Sequence, residues 1–158
     1  MGGQGGWVIN HRWVLGDKGY ASVKPAAVAG LQNIVVGLGC GGAFLEYIIA
    51  SDKLVHFGIE NIIAYGMVYN DVEDQSATYD PIDYTGDCCF ILEPRVNAIL
   101  NITDRFRVSA GANYRYVNGV NYDPGAPYQR AAKADYSTVT DTNISGFSAQ
   151  IGLRFGVF

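Results

Sequence analysis

The residues best suited to chemistry are the carboxylates Glu60 and Glu93 and the guanidiniums of Arg95, Arg107, Arg115 and Arg154. Paired carboxylates are the material of general acid and base catalysis. No sugar or acyl site accompanies this pair, and no nucleophile with its base is visible, so the chain reads as a non-enzyme without catalytic residues. A second candidate is the run Val35 to Gly42, in which Gly37, Gly39 and Gly42 fit GxGxxG after an apolar stretch, with Glu60 about 20 residues on. A dinucleotide site would need a helix starting at Ala43 to receive the pyrophosphate. The blander expectation is that these glycines make room or allow a bend inside a strand, and no cofactor is expected.

Residues 70–87 carry Asp71, Glu73, Asp74, Asp80, Asp83 and Asp87 without a Lys or Arg. Oxygen-rich loops can hold calcium or meet phosphates through shared divalent ions, but the spacing is not that of an EF-hand, and a solvated loop with no metal is expected. Cys40, Cys88 and Cys89 lack the CxxC or Cys/His spacing of zinc or thiol-redox chemistry and read as small apolar fillers. His11 and His56 do not form a pair in the pattern. The sequons at Asn101 and Asn143 are treated as chance matches.

What the charged residues do depends on the elements that carry them. The chain has 158 residues, 49% of them apolar, with eleven Tyr, seven Phe, two Trp and twenty Gly, and only 16% charged. That bias favours strands and tight turns over surface helices. A net charge of −4 with scattered cations lacks the footprint for nucleic acid. The mean hydropathy of +0.07 excludes a disordered chain. No run of about 18 apolar residues is present, yet a spanning strand needs only about 9–11.

Period-two alternation is plain in residues 147–157, where Phe147, Ala149, Ile151, Leu153, Phe155 and Val157 oppose Ser148, Gln150, Gly152, Arg154 and Gly156. Residues 106–116, 90–100 and 55–69 follow the same rule, with Arg107, Arg115, Glu93, Arg95 and Glu60 on the polar side. Residues 33–49, 12–23 and 3–10 are less regular but rich in Val, Ile, Trp and Gly, which makes seven strands. Pro94 removes a ladder donor inside one of them, and a bulge is expected there.

The connections alternate between short turns at 10–11, 51–53 and 103–105 and longer segments at 24–32, 70–86 and 121–143. Outer-membrane barrels keep short periplasmic turns and longer extracellular loops. The aromatics sort the same way. Trp13, Phe57, Phe106 and Phe155 lie near the short-turn end, and Tyr65, Tyr69, Phe90, Tyr114, Tyr116 and Phe147 near the long-loop end, as two interfacial girdles would. The fold class expected is an all-β, antiparallel, up-and-down transmembrane barrel in a single domain over residues 1–158. Seven strands are visible and eight expected, with a first strand and a signal peptide preceding Met1. Its lumen would be plugged by the ionic network of Glu60, Glu93, Arg95, Arg107, Arg115 and Arg154, since buried charges must pair and eight strands leave an interior that side chains fill.

At this point the sequence resembles the small outer-membrane β-barrel proteins of Gram-negative bacteria, of the eight-stranded OmpA/OmpX-like kind. GGAFLEYI at 41–48, LEPRVNAILNIT at 92–103, FRVSAGANYRYVNGVN at 106–121 and GFSAQIGLRFGVF at 146–158 carry the resemblance. It implies an outer-membrane location, a porin-like fold, contact with membrane lipid and lipopolysaccharide, a monomeric state, and delivery by the barrel-assembly machinery. In that family a terminal Phe is the assembly signal. Phe158 matches it, although it is out of phase with the Phe155/Val157 face. The implied role is structural or surface interaction through the long loops. The alternatives are a soluble lipocalin-like barrel with an apolar ligand and, third, a narrow pore or a membrane-embedded lipid enzyme.

Overall fold

Alternation at a period of two sends neighbouring side chains to opposite faces of a strand, and seven stretches of this chain join on that basis into one antiparallel sheet. The computed structural model describes residues 1–28, 31–72, 87–122 and 139–157. The strands are β1 (Gly2–Ile9), β2 (Trp13–Val28), β3 (Leu31–Ile49), β4 (Val55–Val72), β5 (Asp87–Thr103) and β6 (Phe106–Asn118). A small ribbon of β7 (Asn121–Tyr122) with β8 (Val139–Thr140) and one helical turn, α1 (Asp141–Ile144), follow before β9 (Gly146–Phe155). The main sheet has the order β1-β2-β3-β4-β5-β6-β9, so every neighbour is the next long strand in the chain. The architecture is an up-and-down meander curled into an open half-barrel.

Each short turn has a local cause. Asn10 and His11 both adopt positive φ, at 53° and 54°, and Arg12 N donates to Ile9 O at 3.2 Å. That is the left-handed hairpin geometry whose twist matches the strands it joins, and Asn tolerates it better than most residues. Between β3 and β4, Ala50 takes φ 57° and Lys53 N donates to Ala50 O at 3.0 Å. At the third turn, Arg105 N donates to Thr103 Oγ1 at 3.3 Å.

Residues 24–32, expected as a long loop, are largely strand: β2 continues to Val28 and β3 begins at Leu31. Pro25 interrupts nothing, and its place in the ladder explains why. It pairs with Val35 on one side, while β1 reaches no further along β2 than its Gly2↔Tyr20 pair. Above that point β2 is an edge strand, where a missing N–H is tolerated. The other two expected loops also shrink. β4 runs on to Val72, and β7, β8 and α1 occupy parts of 121–143; the intervening 73–86 and 123–138 lie outside the described residues.

The bulge expected at Pro94 is absent. The β5–β6 ladder omits Glu93 and Pro94, but Leu92↔Tyr116 and Arg95↔Asn113 share one register across the gap, and Pro94 stays paired with Asn61 of β4. The lost donor therefore costs local pairing without slipping a residue. A slip would turn every later side chain of β5 to the wrong face. The register does shift in β5–β6, but at Asn101/Thr103 beside the short turn.

The two faces of the sheet have inverted polarity relative to a water-soluble sandwich. Phe147 (87% exposed), Ile151 (82%), Phe155 (75%) and Tyr65 (64%) point outward, whereas Glu46, Glu60, His56 and Asn97 are fully buried on the concave side. The concave side is not uniformly polar. Leu38, Phe44, Ile62, Val68, Cys89, Ile91, Val117 and Val120 form an apolar cluster, mostly toward the long-loop end, and Cys40 packs partly buried against it. The charged groups occupy the middle and the short-turn end.

Candidate functional site

One register row defines the heart of the interior. Val14, Glu46, Glu60, Arg95, Asn113 and Ser148 are successive ladder partners from β2 to β9. All six point inward because each strand keeps its alternation in step with the next. Glu46 and Glu60 are direct cross-strand neighbours, an arrangement that destabilises a sheet when nothing offsets it. Here several groups do.

Arg95 lies between two carboxylates: Nη1 donates to Glu60 Oε1 at 3.2 Å and Nη2 donates to Glu93 Oε1. Lys18 Nζ adds a second cation to Glu60 Oε1 at 3.1 Å. Glu93 Oε2 accepts from the Tyr20 hydroxyl at 2.7 Å and from Arg115 Nε at 3.2 Å, and the Arg115 guanidinium stacks 4.9 Å over the Tyr20 ring. Arg154 grips Glu46 with both terminal nitrogens, at 2.6 and 3.0 Å, while its Nε donates to Ser109 Oγ at 3.3 Å. Asn97 joins the two halves, its Nδ2 donating to Glu46 Oε1 at 3.2 Å and to Glu60 Oε2 at 3.3 Å.

These contacts also show how far the sheet curls. Arg154 of β9 reaches Glu46 of β3 across the concave side, and Tyr20 of β2 meets Glu93 of β5 and Arg115 of β6. Glycines leave the space. A Cβ on Gly58 would collide with the Glu46 carboxylate, and one on Gly111 with the Asn97 side-chain oxygen and the Val96 carbonyl.

The structure brings Glu60, Glu93, Arg95, Arg115 and Arg154 into one lattice, and places Arg107 on the same inward face opposite Arg154 in the β6–β9 ladder. It adds Glu46, Lys18, Tyr20 and Asn97, which the expected network did not include. Their signal was weak but present. Glu46 is a lone carboxylate inside FLEYII, and Lys18 sits two residues from Tyr20 on the inward face of a strand whose outward positions are Leu15, Asp17, Gly19 and Ala21. The lattice thus sets five cations, Lys18, Arg95, Arg107, Arg115 and Arg154, against three carboxylates. In chemical terms it is a set of fixed ion pairs: each carboxylate is held by at least one guanidinium.

The outward aromatics pack in pairs near the ends of the strands. Trp13 and Tyr47 have centroids 4.7 Å apart and Phe106 and Phe155 4.8 Å apart at the short-turn end; Tyr114 and Phe147 are 4.8 Å apart at the other end. Phe57, Phe90 and Tyr116 also point outward, Tyr65 is the ladder partner of Phe90, and Tyr69 sits in β4 opposite Gly37. Phe158 lies outside the described residues.

The remaining candidates are dispersed. Gly37, Gly39 and Gly42 are in the middle of β3, which continues as strand to Ile49, so no helix begins at Ala43 to bind a pyrophosphate. Of the acidic run, Asp71 ends in β4 and Asp87 opens β5, where its carboxylate accepts from Asn121 N at 3.0 Å. Glu73, Asp74, Asp80 and Asp83 lie outside the described residues. All three cysteines are free thiols, Cys89 buried, Cys40 half-buried and Cys88 exposed. No protein-family model, no curated protein and no solved structure matches this chain.

Proposed function

We propose that this protein is an outer-membrane β-barrel protein of a Gram-negative bacterium, with a structural or surface-interaction role and an interior sealed by its own side chains. The observation that carries the reading is the inverted polarity of the sheet. Large apolar side chains from Trp13 to Phe155 are exposed on the convex face while Glu46, Glu60 and Glu93 are buried on the concave one. Such a surface suits hydrocarbon outside and a polar, charge-paired lumen inside. Strands of 16 to 19 residues in β2 to β5 exceed the 9–11 or so that cross a bilayer. The excess would raise the long-loop ends above the membrane toward lipopolysaccharide and whatever the loops meet.

On this reading the assembly machinery inserts the chain as a monomer, and the aromatic pairs lie at the two lipid–water interfaces. A lipocalin-like function finds less support, because the concave side holds a charged lattice where an apolar ligand would sit. The deciding experiment is refolding from urea with and without detergent micelles. Folding only in micelles or lipid, with faster gel migration when unboiled, is expected. A folded soluble monomer in plain buffer would defeat the proposal.

A further inference from the structure

Cys40 and Cys89 are distant in sequence, yet one register row carries both. Tyr20 of β2, Cys40 of β3, Gly66 of β4 and Cys89 of β5 are successive ladder partners. Both thiols are free and turn to the concave side, Cys89 inside the apolar cluster and Cys40 packed against it. The residue between them is a glycine, and the space demands one. A Cβ on Gly66 would come within 2.8 Å of the Cys40 Cβ and 2.7 Å of the Gly39 carbonyl. β4 thus puts no side chain between the two thiols. Neighbouring strands lie about 4.8 Å apart, so two steps of the ladder separate the Cα atoms by roughly 9–10 Å. A disulfide accepts Cα separations only up to about 6.8 Å, so this pair cannot close into one without moving the sheet. Side chains converge on the concave side of a curled sheet. A linear sulfur–metal–sulfur unit with bonds of about 2.3 Å spans about 4.6 Å between its sulfurs. A gap too wide for a disulfide suits one interposed ion.

We propose that Cys40 and Cys89 hold one soft monovalent cation, Cu(I), in a two-coordinate site over Gly66. Thiolate sulfur selects such ions. Among the described residues no group of three His, Cys, Asp or Glu side chains could hold a metal, and structural zinc takes four ligands. The donor set therefore fits an ion that needs only two. On binding, each thiol loses its proton, two S–Cu bonds form, and the copper stays Cu(I), so the unit carries one net negative charge. One of those protons is the one that Cys40 Sγ now donates to Tyr20 O at 3.7 Å. The countercharge is at hand. The Arg115 guanidinium lies 4.9 Å over the Tyr20 ring, and its charge acts on both thiols. Leu38, Val68, Ile91 and Val117 supply the apolar surroundings, which control the access of water to a bound ion. Cys88, next in sequence to Cys89, is exposed on the opposite face with Met67 as its ladder partner. The site belongs to the interior, and it stands or falls independently of where the protein resides.

The test is an anaerobic titration of the folded, reduced 158-residue protein with Cu(I) in competition with a chromogenic chelator. X-ray absorption of the loaded protein reads the ligand shell. One Cu(I) per chain with a shell of two sulfurs is expected. Cys40→Ser and Cys89→Ser should each abolish binding, and Cys88→Ser should leave it unchanged. Zn(II) should fail to displace the copper. No binding against the chelator, a shell of three or more ligands, or displacement by Zn(II) would overturn the proposal. So would binding that survives Cys40→Ser and is lost in Cys88→Ser, which would assign the ion to the adjacent pair Cys88 and Cys89. A second measurement needs no variant. Alkylation of the unmodified protein, mapped by mass spectrometry, should show Cu(I) shielding Cys40 and Cys89 while Cys88 reacts as before. If either Ser variant does not fold, this shielding decides, and equal reactivity of Cys40 with and without Cu(I) defeats the site. Mild oxidation gives an independent check on the spacing. A Cys40–Cys89 disulfide formed in the folded protein would show that the thiols lie too close for an interposed ion.

Discussion

Arg95 stands between two buried carboxylates, one on its own strand and one on the neighbouring strand, and both lose a partner if it is removed. Breaking a buried pair from one side leaves an uncompensated charge, which costs about 3–5 kcal/mol. Arg95→Met should therefore lower the stability of the refolded protein by about that much, measured by urea titration in lipid vesicles. A loss under about 1 kcal/mol would mean that the lattice is exposed to water, because exposed pairs contribute no more than that. Tyr20→Phe is milder. It keeps the ring under Arg115 and removes one hydrogen bond to Glu93, so about 1–3 kcal/mol is expected. Gly111→Ala tests space instead of charge. Its new methyl would meet the Val96 carbonyl as well as Asn97, and backbone cannot swing aside as a side chain can. Overpacking of this kind costs about 1–3 kcal/mol.

At the scale of elements, the strands were legible wherever one face was apolar and the other was not. β9, β6, β5 and β4 alternate cleanly, and their expected spans fall within three residues of those observed. β3 was harder to read because Phe44 and Ile48 are apolar and inward while Leu45, Tyr47 and Ile49 are apolar and outward. The alternation that would have exposed Glu46 as a lattice member is lost there. The apolar half of the interior is hidden by a related ambiguity, since Ile62 and Val68 are apolar yet share the even-numbered face of β4 with His56 and Glu60, and only the register puts them inside. The expected β2 stops at Val23, two residues before Pro25, because its status as an edge depends on where β1 begins, and that is a pairing fact. The outward face makes its own prediction. Val96 is 56% exposed near the middle of β5. On the proposed membrane reading, Val96→Arg would place a guanidinium at membrane depth and should cost about 2–4 kcal/mol in lipid. Near-neutral behaviour there, within about 0.5 kcal/mol as for ordinary surface substitutions, would count against lipid contact.

For the whole molecule, the distribution of charge and apolar bulk along the interior bears on whether ions can pass. The ionic lattice lies in the middle and short-turn side, and the cluster around Ile62, Ile91, Val68 and Val117 packs toward the long-loop side with residues 0–1% exposed. On the proposed plugged-barrel reading, an ion crossing the interior would have to leave water twice, first among fixed pairs that already satisfy one another and then past aliphatic side chains that offer it no ligand. Neutralising the lattice removes only the first barrier. Arg95→Met combined with Arg154→Met should accordingly destabilise the protein without opening a path. Planar-bilayer recordings of both the unmodified protein and this double variant should show no discrete conductance steps. Reproducible steps from the unmodified protein would convert the interior from a plug to a pore. Steps from the variant alone would show that the seal resides in Glu46, Glu60, Glu93 and their cations, leaving the apolar cluster with a role in stability only.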